Sequence, residues 1–107
     1  METLQSIDQF EELKKQDKVI FMFSADWCPD CRAIEPALPD LEKENSDFIF
    51  YYVDRDEFID LCSELNVFGI PSFIVYHKGN EIGRFVSKDR KTKEEVQLFI
   101  NNCKKDL

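Results

Sequence analysis

Glycine and proline are scarce in this chain, three and four residues among 107. So few backbone breakers exclude a linker or a disordered tail. Histidine and tryptophan occur once each. With His77 the sole imidazole, neither a His-based catalytic triad nor a zinc site of the usual ligand spacing can be assembled. Positive charge is also short, with 14 Lys and Arg against 22 Asp and Glu and a net charge of -8. That balance argues against a nucleic-acid binder, which needs a basic surface to displace counterions from phosphates. No apolar run approaches a membrane span, and Met1 to Gln5 lack a basic segment followed by an apolar one, so a cytoplasmic protein without membrane contact is expected.

What is present is a core. Hydrophobic residues make up 43% of the chain, ten of them Phe, and 107 residues suffice for one domain, 1–107, without disulfide staples. A monomer is expected. Four cysteines in a reducing compartment are expected to be mostly free thiols.

Ser6 and Gln9 fit a capping box, followed by Ile7, Phe10 and Leu13 on one side of a helix running to about Gln16, with Leu4 closing a short edge strand before it. Val19 to Phe23 are five consecutive apolar residues, as in a central strand covered on both faces. Cys31, Ile34, Leu38 and Leu41 recur at helical steps to about Asn45, with Pro36 predicted to kink that helix and Pro39 interrupting it again. Phe48 to Val53 read as a second buried strand. Asp54 or Asp56 can cap a third helix with the stripe Phe58, Leu61, Cys62 and Leu65. Ser72 to Tyr76 and Glu81 to Val86 read as a hairpin about Lys78-Gly79-Asn80, with Gly83 as a bulge. Thr92 and Glu95 make another capping box for a closing helix that carries Val96, Phe99, Ile100 and Cys103. The order β-α-β-α-β-α-β-β-α implies an α/β domain, a four- to five-stranded mixed sheet with helices on both faces.

Between the central strand and the second helix lies Trp27-Cys28-Pro29-Asp30-Cys31. Two cysteines three apart at a strand exit and helix entrance mark a redox-active dithiol. The thiolate is the nucleophile, so a working redox cysteine must be partly exposed and its charge stabilised. Cys28 fits as the N-cap residue, with Pro29 at the first helical position, where a missing N–H costs nothing, and free amides near Cys31 aimed back at the sulfur. Cys31, further in and on the apolar stripe, suits resolution of a mixed disulfide. Cys62 and Cys103, both on apolar stripes, read as buried small hydrophobes. Zinc on Cys28 and Cys31 alone would lack two ligands, so no metal is expected.

The chain resembles the thioredoxin family over nearly its whole length: Ala25-Asp26-Trp27-Cys28-x-x-Cys31, Pro36 five residues on, and Gly69-Ile70-Pro71, with Pro71 forty residues after Cys31. The resemblance implies the thioredoxin fold and a disulfide reductase without a bound cofactor. It also implies a flavoprotein partner like thioredoxin reductase that supplies electrons from NADPH. Trp27 would then be a lid beside the sulfur rather than ordinary core packing. Pro71 would be a cis-proline against the dithiol rather than a strand-initiating trans one, leaving the Ile70 backbone free to pair with an extended substrate.

Four positions depart from the family, Pro29 standing where thioredoxins carry glycine. Asp30 stands where thioredoxins carry proline, and a carboxylate there favours the helix start but repels a neighbouring thiolate, which weakens the dithiol as an oxidant. Met22 and Phe50 occupy the positions of a buried aspartate that helps deprotonate the resolving thiol and of its lysine partner. The proton acceptor must be another group, with water, Asp30 and Asp26 as candidates. A Cys-Pro-Asp-Cys motif also resembles a subgroup with selective, often small, disulfide substrates. The expected function is a thiol–disulfide oxidoreductase acting on disulfide-containing proteins, with a reductase restricted to small disulfides and a redox-sensitive binding module as alternatives.

Overall fold

The computed structural model describes all 107 residues. Five strands lie in the order β1-β3-β2-β4-β5: β1 (Glu2–Thr3), β2 (Val19–Ser24), β3 (Ile49–Asp54), β4 (Ser72–His77) and β5 (Asn80–Phe85). β2 is central, parallel to β3 and antiparallel to β4, and all six of its residues are buried. Its apolar run is therefore partitioned by the two-residue strand period. Val19, Phe21 and Phe23 join Phe10, Leu61, Ile74 and Tyr76 on one face, while Ile20 and Met22 join Ile34, Leu41, Phe73, Val96 and Ile100 on the other. The first face is knit by aromatic contacts, with the Phe10 and Phe21 rings 4.8 Å apart and Tyr76 5.8 Å from each. Removing either phenyl ring would cost about 3–5 kcal/mol.

Helix α1 (Ile7–Leu13) is capped at Ser6, whose Oγ accepts from Gln9 N–H at 3.0 Å. The expected capping box is displaced by one residue, because Gln9 Oε1 accepts from Gln5 N–H at 2.6 Å instead of reaching Ser6. The helix also ends earlier than expected. Its last turn is finished by the β4–β5 hairpin, whose Lys78 and Gly79 N–H groups donate to Gln16 O and Lys14 O at 2.9 and 2.8 Å. Lys78 and Gly79 both have positive φ, 51° and 89°, as a two-residue hairpin turn demands.

The second helix is broken rather than kinked. Pro36 and Pro39 divide it into α2 (Pro29–Ile34), a 3₁₀ turn (Glu35–Ala37) and α3 (Leu38–Glu44). β3 is only half buried, with Ile49 exposed at the end of the ladder, so it is less enclosed than its apolar run suggests. Helix α4 (Ile59–Glu64) has Phe58 at its N-cap without a side-chain bond, since Asp54 Oδ1 is taken by Asp56 N–H at 2.9 Å. The bulge in the β4–β5 ladder falls at Val75/Tyr76, opposite the Glu81–Gly83 stretch. Helix α5 (Lys93–Lys104) begins with the expected reciprocal Thr92–Glu95 box. No helix is long and apolar enough to cross a membrane.

Candidate active site

Central strand β2 ends at Ser24, and four residues later Cys28 begins α2 with an extended backbone, φ -84° and ψ 113°. As N-cap it accepts the Cys31 N–H on its sulfur at 3.2 Å, and Pro29 fills the first helical position. α2 is only six residues long. The local amide therefore contributes more to a Cys28 thiolate than a summed helix dipole does.

Cys28 is less open than its chemistry led us to expect, whereas Cys31 is buried as its place on the apolar stripe implied. Cys28 is 5% exposed and Cys31 fully buried. What separates them is access to a groove of about 300 Å³, which Cys28 lines together with Trp27, Asp30, Arg55, Phe68, Ile70 and Lys88, and which Cys31 does not reach. Burial first, and the hydrogen bond to Cys28 second, push the Cys31 thiol from 9.0 up to about 11. The deeper sulfur thus holds its proton more tightly than a free thiol.

Ile70 forms the opposite wall, and Pro71, which follows it, does not line the groove. The Ile70–Pro71 peptide bond is cis. Ile70 O lies 3.9 Å from Cys28 Sγ, and Ile70 N–H donates to no group in the chain. Trp27 is 60% exposed, so it is no core residue. Its indole N–H donates to Asp56 Oδ2 at 2.7 Å and the Arg55 guanidinium sits 5.9 Å from its ring centre, which together hold it over the groove.

Asp30 is paired. Arg90 Nε donates to its Oδ1 at 2.9 Å. Asp26 contributes its backbone, as carbonyl acceptor for Arg32 Nη1 at 2.7 Å, while the residue is exposed. Met22 and Phe50 are buried side by side in one apolar cluster, so no carboxylate or ammonium occupies the positions under the dithiol. No group of three His, Cys, Asp or Glu side chains could hold a metal ion.

Three neighbours of the dithiol escaped the motif reading. Lys91 is only 3% exposed, and the charges of Cys31 and Asp30 act on it. Its ammonium donates to Ser87 O, Ser87 Oγ and Asp89 O, and burial lowers its pKa. Phe68, 70% exposed, lines the groove beside Ile70. Ser24 carries a buried hydroxyl beneath Cys31. Only Ser24 left a trace in the sequence, as a polar residue ending an apolar run.

The thioredoxin family model matches residues 2–102. Among similar proteins, thioredoxin H2 of Arabidopsis thaliana is 37% identical over 92 residues, 83% of this chain and 69% of that one. Human thioredoxin is 36% identical over 86 residues, 79% of each chain. The oxidised mitochondrial thioredoxin 3 of Saccharomyces cerevisiae superposes with a TM-score of 0.84 at 29% identity, covering all of this chain and 95% of that one.

Proposed function

The chain belongs to the thioredoxin family and is a thiol–disulfide oxidoreductase, and from that premise we propose that it is a reductase with Cys28 as nucleophile and Cys31 as resolver. The observation that carries the assignment is that Cys28 lines the groove with the Cys31 amide on its sulfur, while Cys31 lies behind it. The Cys28 thiolate attacks one sulfur of a substrate disulfide. A Cys28–substrate bond forms and the other substrate sulfur leaves as a thiolate. Cys31 then attacks Cys28, releasing the second substrate thiol and leaving Cys28–Cys31 oxidised. An extended substrate segment would pair with the unused Ile70 N–H and lie between Trp27 and Ile70.

No bound cofactor takes part in this exchange. Family membership supports re-reduction by a flavoprotein like thioredoxin reductase that draws on NADPH. We place it in a cytoplasmic, reducing setting, where cysteines are kept mostly as thiols. We treat the protein as a monomer acting on disulfide-containing proteins. A narrower activity on small disulfides is favoured by the modest groove volume and by Lys88, which makes no ion pair there. Insulin and cystine reduction, each with a supplied thioredoxin reductase and NADPH, separate the readings. Reduction of insulin supports the broad reductase, reduction of cystine alone the narrow one, and reduction of neither a redox-sensitive binding module. Trapping with Cys31→Ser tests the roles directly, because mixed disulfides must accumulate on Cys28.

A further inference from the structure

Ser24 is fully buried, and its Oγ makes no hydrogen bond. One other buried side-chain atom shares that condition, His77 Nδ1, at the far end of β4 from the dithiol. A buried hydroxyl without a partner costs about 1–3 kcal/mol, so its persistence calls for a use. The strand register pairs Ser24 with Asp54 and Met22 with Tyr52, which puts Ser24 and Tyr52 on one face of the sheet, diagonal to each other. The Ser24 hydroxyl neighbours two titratable groups, the Cys31 thiol and the Tyr52 phenol; burial raises the pKa of both, and Ser24 works against that rise in each.

We propose that Ser24 Oγ–H donates a hydrogen bond to the Cys31 thiolate in the resolving step, while Tyr52 Oη–H donates in turn to Ser24 Oγ. The inference rests on Cys31 being the resolver. While Cys31 is a thiol, its S–H can donate to Ser24 Oγ. Once the sulfur is negative, rotation of the hydroxyl reverses that bond, and the phenol fills the vacated lone pair; such chains strengthen one another. Protons and electrons balance without a further reagent. The Cys31 proton leaves through water and is taken up by the substrate thiolate. The Cys31–Cys28 bond forms as the Cys28–substrate bond breaks, and the departing sulfur carries the electron pair. Ser24 and Tyr52 keep their own protons throughout.

The other groups around Cys31 do not supply this bond. Lys91 favours the thiolate through its charge, but its three N–H are used by Ser87 and Asp89. Asp26 and Asp54 oppose a negative Tyr52 through their charge, Asp30 is held by Arg90, and Cys28 opposes a second negative sulfur. The Ala25 backbone also favours a Cys31 thiolate, a smaller influence than that of Ser24.

One equivalent of 5,5′-dithiobis(2-nitrobenzoate) tests the idea on the intact protein, because Cys28 releases the first thionitrobenzoate and Cys31 the second in a first-order step. The second rate is followed against pH. In Ser24→Ala the midpoint of that profile is expected to rise by about one pH unit, with resolution near neutrality roughly tenfold slower, while the first release is unchanged. Tyr52→Phe should raise the midpoint by less. An unchanged or lowered midpoint in Ser24→Ala overturns the proposal. If that variant fails to fold, Tyr52→Phe decides by the same criterion. Absence of a second release in the unmodified protein would instead defeat the nucleophile and resolver assignment.

Discussion

Arg90 Nε meets Asp30 Oδ1 at 2.9 Å across sixty residues of sequence, so the carboxylate inside the Cys28–Cys31 motif carries its own counter-charge. Asp30 on its own would repel a thiolate at Cys28, and Arg90 offsets that repulsion. Both partners are partly exposed, which keeps the effect small and salt-dependent. Arg90→Gln is expected to slow alkylation of Cys28 by iodoacetamide near neutrality by about two- to fivefold, and Asp30→Asn to speed it by a similar factor. Both changes should fade in 1 M salt. An unchanged or faster rate in Arg90→Gln would refute the pairing argument.

Trp27 stays over the groove while solvent-exposed because Asp56 accepts its N–H at 2.7 Å. Asp56→Ala frees the indole. A charge-assisted bond of this kind, weakened by exposure, predicts a loss of about three- to tenfold in kcat/KM for a protein disulfide. Trp27 is the only tryptophan, so the difference in fluorescence between reduced and oxidised protein should shrink in the same variant. Retention of both the wild-type kcat/KM and the full fluorescence difference would mean that Asp56 does not position the ring.

Cys103 gives the fold an alkaline limit. Burial first, then the nearby Asp106, raise its thiol from 9.0 to about 11. The unfolded chain therefore loses this proton at lower pH than the folded one. The stabilisation is complete below about pH 9 and is lost as the pH rises through the folded value near 11, up to about 2 kcal/mol in all. Cys31, also pushed to about 11, adds a loss of the same sign, whereas Lys91, lowered by burial, works in the opposite direction. Comparing Cys103→Ala with wild type isolates the one thiol. Urea denaturation should find the variant less stable at pH 7, with the gap closing as the pH approaches 11. A gap that stays constant would exclude the thiol as the cause.

The parts of this structure that were legible in the sequence are those set by neighbours in the chain. β2 could be read because five apolar residues, Val19 to Phe23, follow one another, and α5 because Thr92 and Glu95 close a box within one turn. Cys28, Cys31, Trp27 and the Ile70–Pro71 bend were legible for the same reason, being two short motifs. Contacts between distant segments left no such sign. Gln9 could reach either Ser6 or Gln5, and in the fold it takes Gln5. Arg90 and Lys91 read as a charged loop until the fold carried them to Asp30 and Cys31. The exposure expected of Cys28 was overruled by the walls of the groove, which come from four separate stretches of the chain.

Gly83 reads as a bulge residue in the sequence, and the ladder does shift register beside it, at Ile82; the further constraint on Gly83 is space. A Cβ built there would lie 2.5 Å from Cys103 Sγ and 3.3 Å from Phe99 Cε1, both on α5. Elsewhere in a strand, Gly→Ala would stabilise slightly by restricting the unfolded chain. Here overpacking should win, and Gly83→Ala is expected to cost about 1–3 kcal/mol in urea denaturation. Because the sulfur is the nearer obstacle, Cys103→Ala in the same chain should recover most of that loss. The double-mutant cycle would then show a coupling of about 1 kcal/mol or more. Additive losses would mean that the β5–α5 contact is set by Phe99 and not by the thiol.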